Sequence, residues 1–156
     1  MIRYYMGIDP GKKGGISIIN NSGEIIDYSI MPETEMEIFE WINGKKEITR
    51  CFIEKVHSMP NQSSKSTFTF GKGYGGLRMA LIASNIPFEE VLPKTWQKEI
   101  GITGNKGEAR PQFKIRLKEK AQNMFPMLKL WEETKGNQMA VCDSLLIAEY
   151  ARRNFE

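Results

Sequence analysis

The sequence predicts an α/β protein in which a three-stranded meander is extended by strands that join it through helical crossovers. Three segments rich in β-forming residues, separated by turn residues, lie within residues 2–30. Beyond them, segments with helical periodicity alternate with short apolar strands. The 156 residues are 40% hydrophobic and 26% charged, which is the composition of an ordinary globular protein. We therefore expect one domain over residues 1–156, with right-handed crossovers.

The meander and the helix after it have clear local signals. The predicted strands are 2–9 (IRYYMGID), which ends at Pro10-Gly11, 15–20 (GISIIN), and 24–30 (EIIDYSI), which follows the turn Asn21-Ser22-Gly23. A helix is predicted over 33–44, because Met36, Ile38, Phe39 and Ile42 recur at helical spacing and Gly44 is a stop signal.

The remaining elements alternate between strand and helix. We predict a strand at 50–56, a polar loop at 57–66, a helix over at least the second half of 67–84, a strand at 86–92, helices at about 94–100 and 108–124, an irregular stretch at 126–137, and a last helix at about 138–154. The order is βββαβαβα with one additional helix.

Charge and cysteine content limit the class of protein. The net charge of +3 permits a nucleic-acid partner without requiring one. Residues 94–120 hold eight basic side chains against three acidic ones, which fits either a binding patch or a solvated surface. Cys51 and Cys142 follow no ligand spacing, so we expect both to be reduced and buried. No apolar run approaches the ~20 residues of a membrane span, and no signal peptide is evident, so a cytoplasmic location is expected.

Three acidic residues stand where an apolar core would be expected. Asp9 ends an apolar strand, Glu54 interrupts CFIEKV, and Asp143 opens the apolar face of the last helix. A lone buried carboxylate is costly unless it is paired or bound to a metal. If the three converge, their oxygens would suit Mg²⁺ or Mn²⁺.

Each of these residues also has a simpler interpretation. Asp9 before Pro-Gly is a common turn residue, and Glu54 could lie on the solvent face of its strand. Asp143 could be a charge at the start of a helix, favoured by the helix dipole. His57 in a polar segment is more often a loop residue than a ligand.

The segment GKGYGG at residues 71–76 satisfies the G-x-G-x-x-G pattern of dinucleotide sites. The run before it is polar and rich in serine, whereas such a site follows a buried parallel strand, usually in the first βα unit. We therefore expect these glycines to serve close helix packing, within the domain or against a second subunit.

The motifs together resemble those of a known family. GIDPGKKGG (7–15), IEKVHSMPNQSSKSTFTFGKGYGG (53–76), VLPKTWQKEIG (91–101) and the terminal DSLLIAEYA are similar to segments of the RuvC-type Holliday junction resolvases, and more closely to the phage-encoded branch. The resemblance implies an RNase H-like fold, a five-stranded mixed β-sheet flanked by helices on both sides. It also implies a homodimer on branched DNA, especially four-way junctions, with each subunit cutting one strand using two Mg²⁺ ions (Mn²⁺ as an alternative) and a water nucleophile.

The resemblance assigns metal binding and catalysis to Asp9, Glu54 and Asp143. The family has a fourth carboxylate three residues before the last of these, and here that position is Ala140. Residues three apart share a helix face, so both acids would point at the same metals. Two Mg²⁺ ions at roughly 4 Å need a dense anionic site, so the loss should slow cleavage severely. A deliberate Asp→Ala change, a natural loss of activity, and a substitute ligand such as Asn137 all remain open.

The DNA contacts implied by the resemblance are less sharply placed. His57 occupies the position of an aromatic wedge, with Met59 and Phe68 nearby, and a histidine can still stack on a base. Lys98, Lys106 and Lys114, with Lys94 as an alternative, match lysines that contact phosphate and position the backbone. Residues 61–76 would line the junction groove and adjoin the dimer interface.

The prediction from sequence is thus a Mg²⁺-dependent, structure-selective DNA endonuclease that resolves four-way junctions. The main alternative is a junction-binding protein that does not cut, which Ala140 makes plausible. A second alternative is an ATPase of the actin-like superfamily, because DPGKKGG loosely resembles its first phosphate loop. That architecture needs two such domains, and 156 residues accommodate only one.

Overall fold

A computed structural model describes residues 1–45, 47–131 and 137–155. The strands are β1 (Tyr4–Asp9), β2 (Gly15–Asn20), β3 (Ile25–Ile30), β4 (Arg50–Glu54) and β5 (Phe88–Val91). The helices are α1 (Glu35–Asn43), α2 (Ser64–Ala83), α3 (Pro93–Ile100), α4 (Arg110–Met124), a 3₁₀ helix (Pro126–Trp131) and α5 (Asn137–Arg153).

The five strands form one mixed sheet in the order β3-β2-β1-β4-β5. The meander β1-β2-β3 is antiparallel, whereas β4 and β5 add to β1 in parallel. This is the five-stranded mixed sheet that the resemblance implies. The carboxyl ends of β1, β4 and β5 therefore lie at the same edge, where ligands of open α/β sheets usually bind.

Helices cover both faces of the sheet, because alternate strand residues point to opposite faces. Met6, Ile8 and Ile53 belong to the core under α1 and α2. Tyr5 and Phe52 belong to the core under α3, α4 and α5. Residues an even number of positions from Tyr5 on β1, or from Phe52 on β4, therefore point toward α5.

Local capping explains where several helices begin and end. Thr34 caps α1 through a capping box with Glu37. Pro93 occupies the first turn of α3, and Gly101 ends that helix at a φ of +86°, a left-handed conformation that glycine adopts without strain. The helix α3 is thus fixed at both ends, directly after β5.

The largest departure from the predicted elements is α2. This helix starts at Ser64, inside the predicted polar loop 57–66, because the Ser63 hydroxyl accepts a hydrogen bond from the backbone N–H of Ser66. It runs without interruption through GKGYGG at 71–76, so the glycines form no phosphate-binding loop, and the dinucleotide pattern is coincidental.

Other differences are smaller. The strand β1 begins at Tyr4, and β4 ends at Glu54, each two residues inside the predicted strand. The stretch predicted to be irregular, 126–137, includes the 3₁₀ helix, while residues 132–136 lie outside the described residues. Cys51 and Cys142 are free and buried, as predicted. None of the helices in the described ranges is both long and apolar enough to cross a membrane.

Candidate active site

The last helix lies directly on the first strand, and glycine makes this approach possible. A Cβ atom at Gly7 would stand 2.1 Å from the carbonyl oxygen of Ser144 and 2.3 Å from the backbone nitrogen of Ala148. A Cβ at Gly15, the residue paired with Asp9, would stand 2.8 Å from the carbonyl oxygen of Ala140. Residues 140, 144 and 148 therefore follow β1 from its carboxyl end toward its start.

A buried hydrogen bond helps to fix the rotation of α5 on the sheet. The hydroxyl groups of Ser17 on β2 and Ser144 on α5 are hydrogen-bonded to each other, and both side chains are fully buried. The Ser144 hydroxyl also contacts the carbonyl oxygen of Val141 at 2.9 Å. This pair lies on the face of α5 that meets the sheet, so together with the apolar packing of that face it helps to fix where the neighbouring Asp143 lies.

Asp9 and Glu54 end adjacent parallel strands on the face that α5 covers. The register pairs Ile8 with Ile53, so Asp9 and Glu54, one residue further along, stand side by side. Asp9 is two residues after Gly7, and Glu54 is two residues after Phe52, so both acids point to the face of the sheet that α5 covers. Both side chains are half-buried, and Glu54 accepts a hydrogen bond from the fully buried Trp96, so the solvent-face interpretation of Glu54 is wrong.

Asp143 belongs to the body of α5 and not to its start. The helix begins at Asn137, and its first turn contains no acidic residue, so the interpretation of Asp143 as a helix-start charge is wrong. Its Oδ1 atom is buried and has no hydrogen-bond partner among the described residues. A buried carboxylate oxygen without a donor is costly, which points to a ligand.

Electrostatics link the three carboxyl groups. Burial raises the pKa of Asp143 to about 7, with a further contribution from Glu54. Burial also raises the pKa of Asp9 well above its usual value, and Asp143 and Glu54 add to this effect. Burial raises the pKa of Glu54 as well, against a hydrogen bond from Trp96 that lowers it. Such mutual perturbation is typical of functional sites.

Trp96 is the part of this site that the sequence did not reveal. Its Nε1 atom donates a hydrogen bond of 2.7 Å to Oε2 of Glu54, across 42 residues of chain. A buried tryptophan needs an acceptor for its N–H group, so a partner could have been expected. The sequence gives no signal that selects Glu54 among the acidic residues.

Lys114 is the one predicted DNA-contacting lysine that acts on all three acids. Its charge lowers the pKa values of Asp9, Glu54 and Asp143, and its side chain is otherwise exposed on α4. Lys94 and Lys98 are exposed on α3, and Lys106 is exposed between α3 and α4. These three have no such effect on the acids.

His57 lies on the exposed segment after β4. Met59 and Phe68 are likewise exposed. The structure therefore keeps the predicted wedge residues on the surface, and the wedge itself stays a prediction.

Ala140 lies one turn before Asp143 and is 6% exposed. Its carbonyl oxygen overlies Gly15, the strand partner of Asp9, so the residue stands beside the end of β1 that carries the first acid. The alanine side chain offers no ligand atom at this corner of the site. Asn137, the possible substitute ligand, begins α5, but its side chain lies outside the described part of the structure.

The residues present fit a divalent cation. Within the described ranges, no three His, Cys, Asp or Glu side chains already form a closed ligand set. The oxygen-only donors and the unpartnered Oδ1 atom of Asp143 suit Mg²⁺ or Mn²⁺. Asp9, Glu54 and Asp143 are the residues that would hold it.

The chain has the RNase H-like fold of RuvC. A structure of T. thermophilus RuvC in complex with Holliday junction substrate is similar with a TM-score of 0.63 over 97% of this chain and 96% of that chain, at 12% sequence identity. A Thermus thermophilus RuvC structure is similar with a TM-score of 0.61 over 98% and 96%, at 15% identity. No family model and no curated protein matches the sequence. At such identities the likeness establishes the fold.

Proposed function

We propose that this chain is a Mg²⁺-dependent endonuclease of the RuvC type that acts on branched DNA, especially four-way junctions. The proposal is supported by Asp9 and Glu54 ending adjacent strands at the carboxyl edge of the sheet, by the electrostatic coupling of Asp143 to both, and by its buried oxygen that is unpartnered among the described residues. The similarity to a RuvC structure in complex with Holliday junction substrate supports the choice of DNA as the partner.

The roles of the residues follow from their environment. Asp9, Glu54 and Asp143 would hold one or two cations, and Lys114 keeps their ionised forms accessible by lowering their pKa values. A bound Mg²⁺ ion would supply an activated water and would neutralise charge on the leaving oxygen, giving 5′-phosphate and 3′-hydroxyl ends.

The exposed lysines of α3, α4 and the segment between them suit the DNA backbone. Lys114 stands beside the carboxylates, and Lys94, Lys98 and Lys106 are exposed on α3 and the segment after it. Exposed lysines contribute sequence-independent contacts to phosphate, as a structure-selective enzyme requires. His57 on the segment after β4 would contact bases near the crossover.

The surface of α2 supports a homodimer. Phe68, Met79 and Ile82 are 75%, 60% and 54% exposed, and their spacing of 11 and then 3 residues puts them on one helix face. Gly71 and Gly75 lie on the same face, and a Cβ atom on either would meet nothing within 4 Å among the described residues. An apolar stripe interrupted by glycines allows a second α2 helix to approach closely.

The proposal also covers the finer assignments. The whole chain would form a single nuclease domain of the phage-encoded branch, active in the cytoplasm of a bacterial host. Junction resolution by paired nicks would require the two active sites of the dimer to act on opposite strands.

The direct test is binding to DNA of defined shape. The purified protein is titrated against a four-way junction and a linear duplex of the same length at ~150 mM salt, because phosphate contacts are strongly salt-dependent. We expect preferential binding to the junction. Equal affinity for the two DNAs would refute the proposal. A Y-shaped substrate distinguishes junctions from simpler branches.

A second candidate is a junction-binding protein that does not cut. Ala140 favours it, because this buried position on α5 carries a methyl group where the resemblance expects an acid. The two candidates share every DNA contact and differ only in chemistry. Cleavage before and after restoration of an acid at position 140 separates them.

A further inference from the structure

The indole of Trp96 is held rigidly beside the end of β4. Val91 of β5 pairs with Glu54, and the backbone N–H of Lys55 donates to the carbonyl oxygen of Val91 at 2.7 Å. The helix α3 starts two residues after Val91, so its second turn returns to the end of β4. Trp96 on that turn is 0% exposed.

The packing around Trp96 leaves its donor little freedom. The ring belongs to the core under α5, in the same cluster as Ile100 and Leu145. Pro93 in the first turn and Gly101 at the end fix the length of α3. A fully buried ring in a close-packed core keeps one rotamer, so the N–H group points in one direction.

The hydrogen bond makes the two carboxylate oxygens of Glu54 inequivalent. An indole N–H only donates, and here it donates to Oε2 at 2.7 Å, which is the one hydrogen bond that the Glu54 carboxylate makes among those described. The Oε2 atom keeps a second lone pair, but the indole N–H competes for it, so Oε1 is the oxygen more available to a cation. A carboxylate held in this way favours binding a cation through one oxygen.

We propose that Trp96 is a positioning residue that holds Glu54 as a one-oxygen ligand and thereby favours small octahedral cations over Ca²⁺. Mg²⁺ demands near-ideal octahedral geometry, whereas Ca²⁺ accepts bidentate carboxylates and more ligands. This inference rests on the proposed metal-dependent function of the site. It goes beyond that function by assigning to Trp96, an uncharged core residue on α3, control over which metal the acids bind.

A purely structural role for Trp96 makes a different prediction. If the hydrogen bond only satisfies a buried N–H group, its removal lowers stability and leaves the preference for one metal over another unchanged. If Trp96 positions Glu54, its removal changes the ratio of metal affinities. The ratio is therefore the informative measurement, because a general loss of folded protein cancels from it.

The experiment compares the full chain with Trp96→Phe, which keeps an aromatic ring and removes the donor. Free Mn²⁺ is measured by electron paramagnetic resonance during titration, and Ca²⁺ is added as a competitor. We expect Mn²⁺ affinity to fall about tenfold, as is typical when a partner of a metal ligand is lost. Ca²⁺ affinity should fall less, so the Mn²⁺/Ca²⁺ ratio decreases.

Two further proteins keep the test decisive. Trp41→Phe changes a tryptophan on α1, on the opposite face of the sheet, and should leave both affinities unchanged. If Trp96→Phe does not fold, benzothienylalanine at position 96 alone replaces the N–H group by sulfur at nearly the same volume. The indole N–H resonance of Trp96, assigned by its loss in the variant, should also shift when Mg²⁺ is added.

The outcomes separate this inference from the proposed function. An unchanged Mn²⁺/Ca²⁺ ratio in both variants at position 96 overturns the positioning role and leaves the nuclease proposal intact. Failure of the unsubstituted protein to bind Mn²⁺ overturns both. Metal binding with the expected change in ratio, but with no preference for a junction, supports the positioning role and refutes the DNA substrate.

Discussion

Two acidic residues on α5, Asp143 and Glu149, have opposite environments. Glu149 is 3% exposed and accepts two hydrogen bonds of 2.7 Å from Arg152 and one of 2.8 Å from Arg153. Burial alone would raise its pKa, but the two arginines lower it below the usual value. Asp143 has a buried oxygen without a partner among the described residues, and burial raises its pKa to about 7.

The difference separates a structural acid from a candidate functional one. Both residues lie on the same helix and both are largely removed from water. The sequence supplies arginines three and four residues after Glu149, within reach on the same helix face. Around Asp143 it places other acids, with Lys114 from a different helix as the opposing charge. A buried acid surrounded by acids is suited to a bound cation.

The largest expected effect comes from adding an acid one turn before Asp143. Ala140→Asp should raise junction cleavage in Mg²⁺ on the order of 10³-fold, because completing a metal site is worth several kcal/mol of transition-state stabilisation. Cleavage of a labelled four-way junction measures it, with Ala140→Asn as the uncharged control. No cutting by the Asp variant would favour the non-cleaving interpretation.

The next effect concerns stability without metal. The folded-state pKa of Asp143, about 7, lies above its unfolded value of 3.8, so its contribution to stability is full below pH 3.8 and is lost as the pH rises through 7. The free energy of unfolding in EDTA should fall by up to about 4 kcal/mol from this group between pH 4 and pH 8.

Urea denaturation at several pH values measures this fall in stability. Asp143→Asn should reduce the pH dependence, and the remainder belongs to Asp9 and Glu54, whose pKa values are also raised. Mg²⁺ should restore stability at pH 8, because a ligand that binds only the folded state stabilises it. If the free energy of unfolding depends on pH in the same way with and without the Asn substitution, then Asp143 is not a buried acid that lacks a compensating charge.

Glu149 should behave in the opposite way. Glu149→Gln should cost about 2 kcal/mol at pH 7, the value of lost hydrogen bonds to charged groups. Its pKa is lowered in the folded state, so its stabilisation is present above the unfolded pKa and disappears as the pH falls. Urea denaturation should show the difference from the unsubstituted protein shrinking below about pH 4. Reduced Mn²⁺ affinity in this variant would contradict its purely structural role.

The smallest expected effect concerns the lysine beside the acids. Lys114→Gln should weaken junction binding several-fold and reduce the slope of log Kd against log salt concentration by about 1. Lys120→Gln is the matched control on the same helix, since the Nζ atom of Lys120 lies 3.9 Å from where a Cβ atom on Gly101 would stand, at the end of α3. If the slope of log Kd against log salt concentration is the same for the two variants, Lys114 does not contact the DNA backbone.

The sequence predicts the order of elements well, because strand and helix periodicities are local properties. The meander is correct to within two residues, since turn residues mark its ends. The start of α2 was predicted too late, because serines and glycines have low helix propensity and the helix is held instead by its cap and its buried Leu77 and Leu81.

The site is only partly predictable for a different reason. Acids at strand ends can be noticed in the sequence, but the contact between Trp96 and Glu54 depends on β5 pairing beside β4. The state of Asp143 depends on how α5 is rotated over β1, to which the Ser17–Ser144 hydrogen bond and the apolar packing of α5 both contribute. Such contacts between distant residues are decided by tertiary packing and have no local signal.

The placement of α5 over β1 has a consequence for how the protein folds. Ser17 on β2 and Ser144 on α5, whose hydrogen bond joins the last helix to the sheet, are 127 residues apart in the chain. Non-local contacts carry a loop-closure cost that local ones do not. We therefore expect the acids to come together late in folding. Mn²⁺ should accordingly slow unfolding and leave the refolding rate unchanged in stopped-flow experiments, because interactions absent from the transition state affect only the unfolding rate.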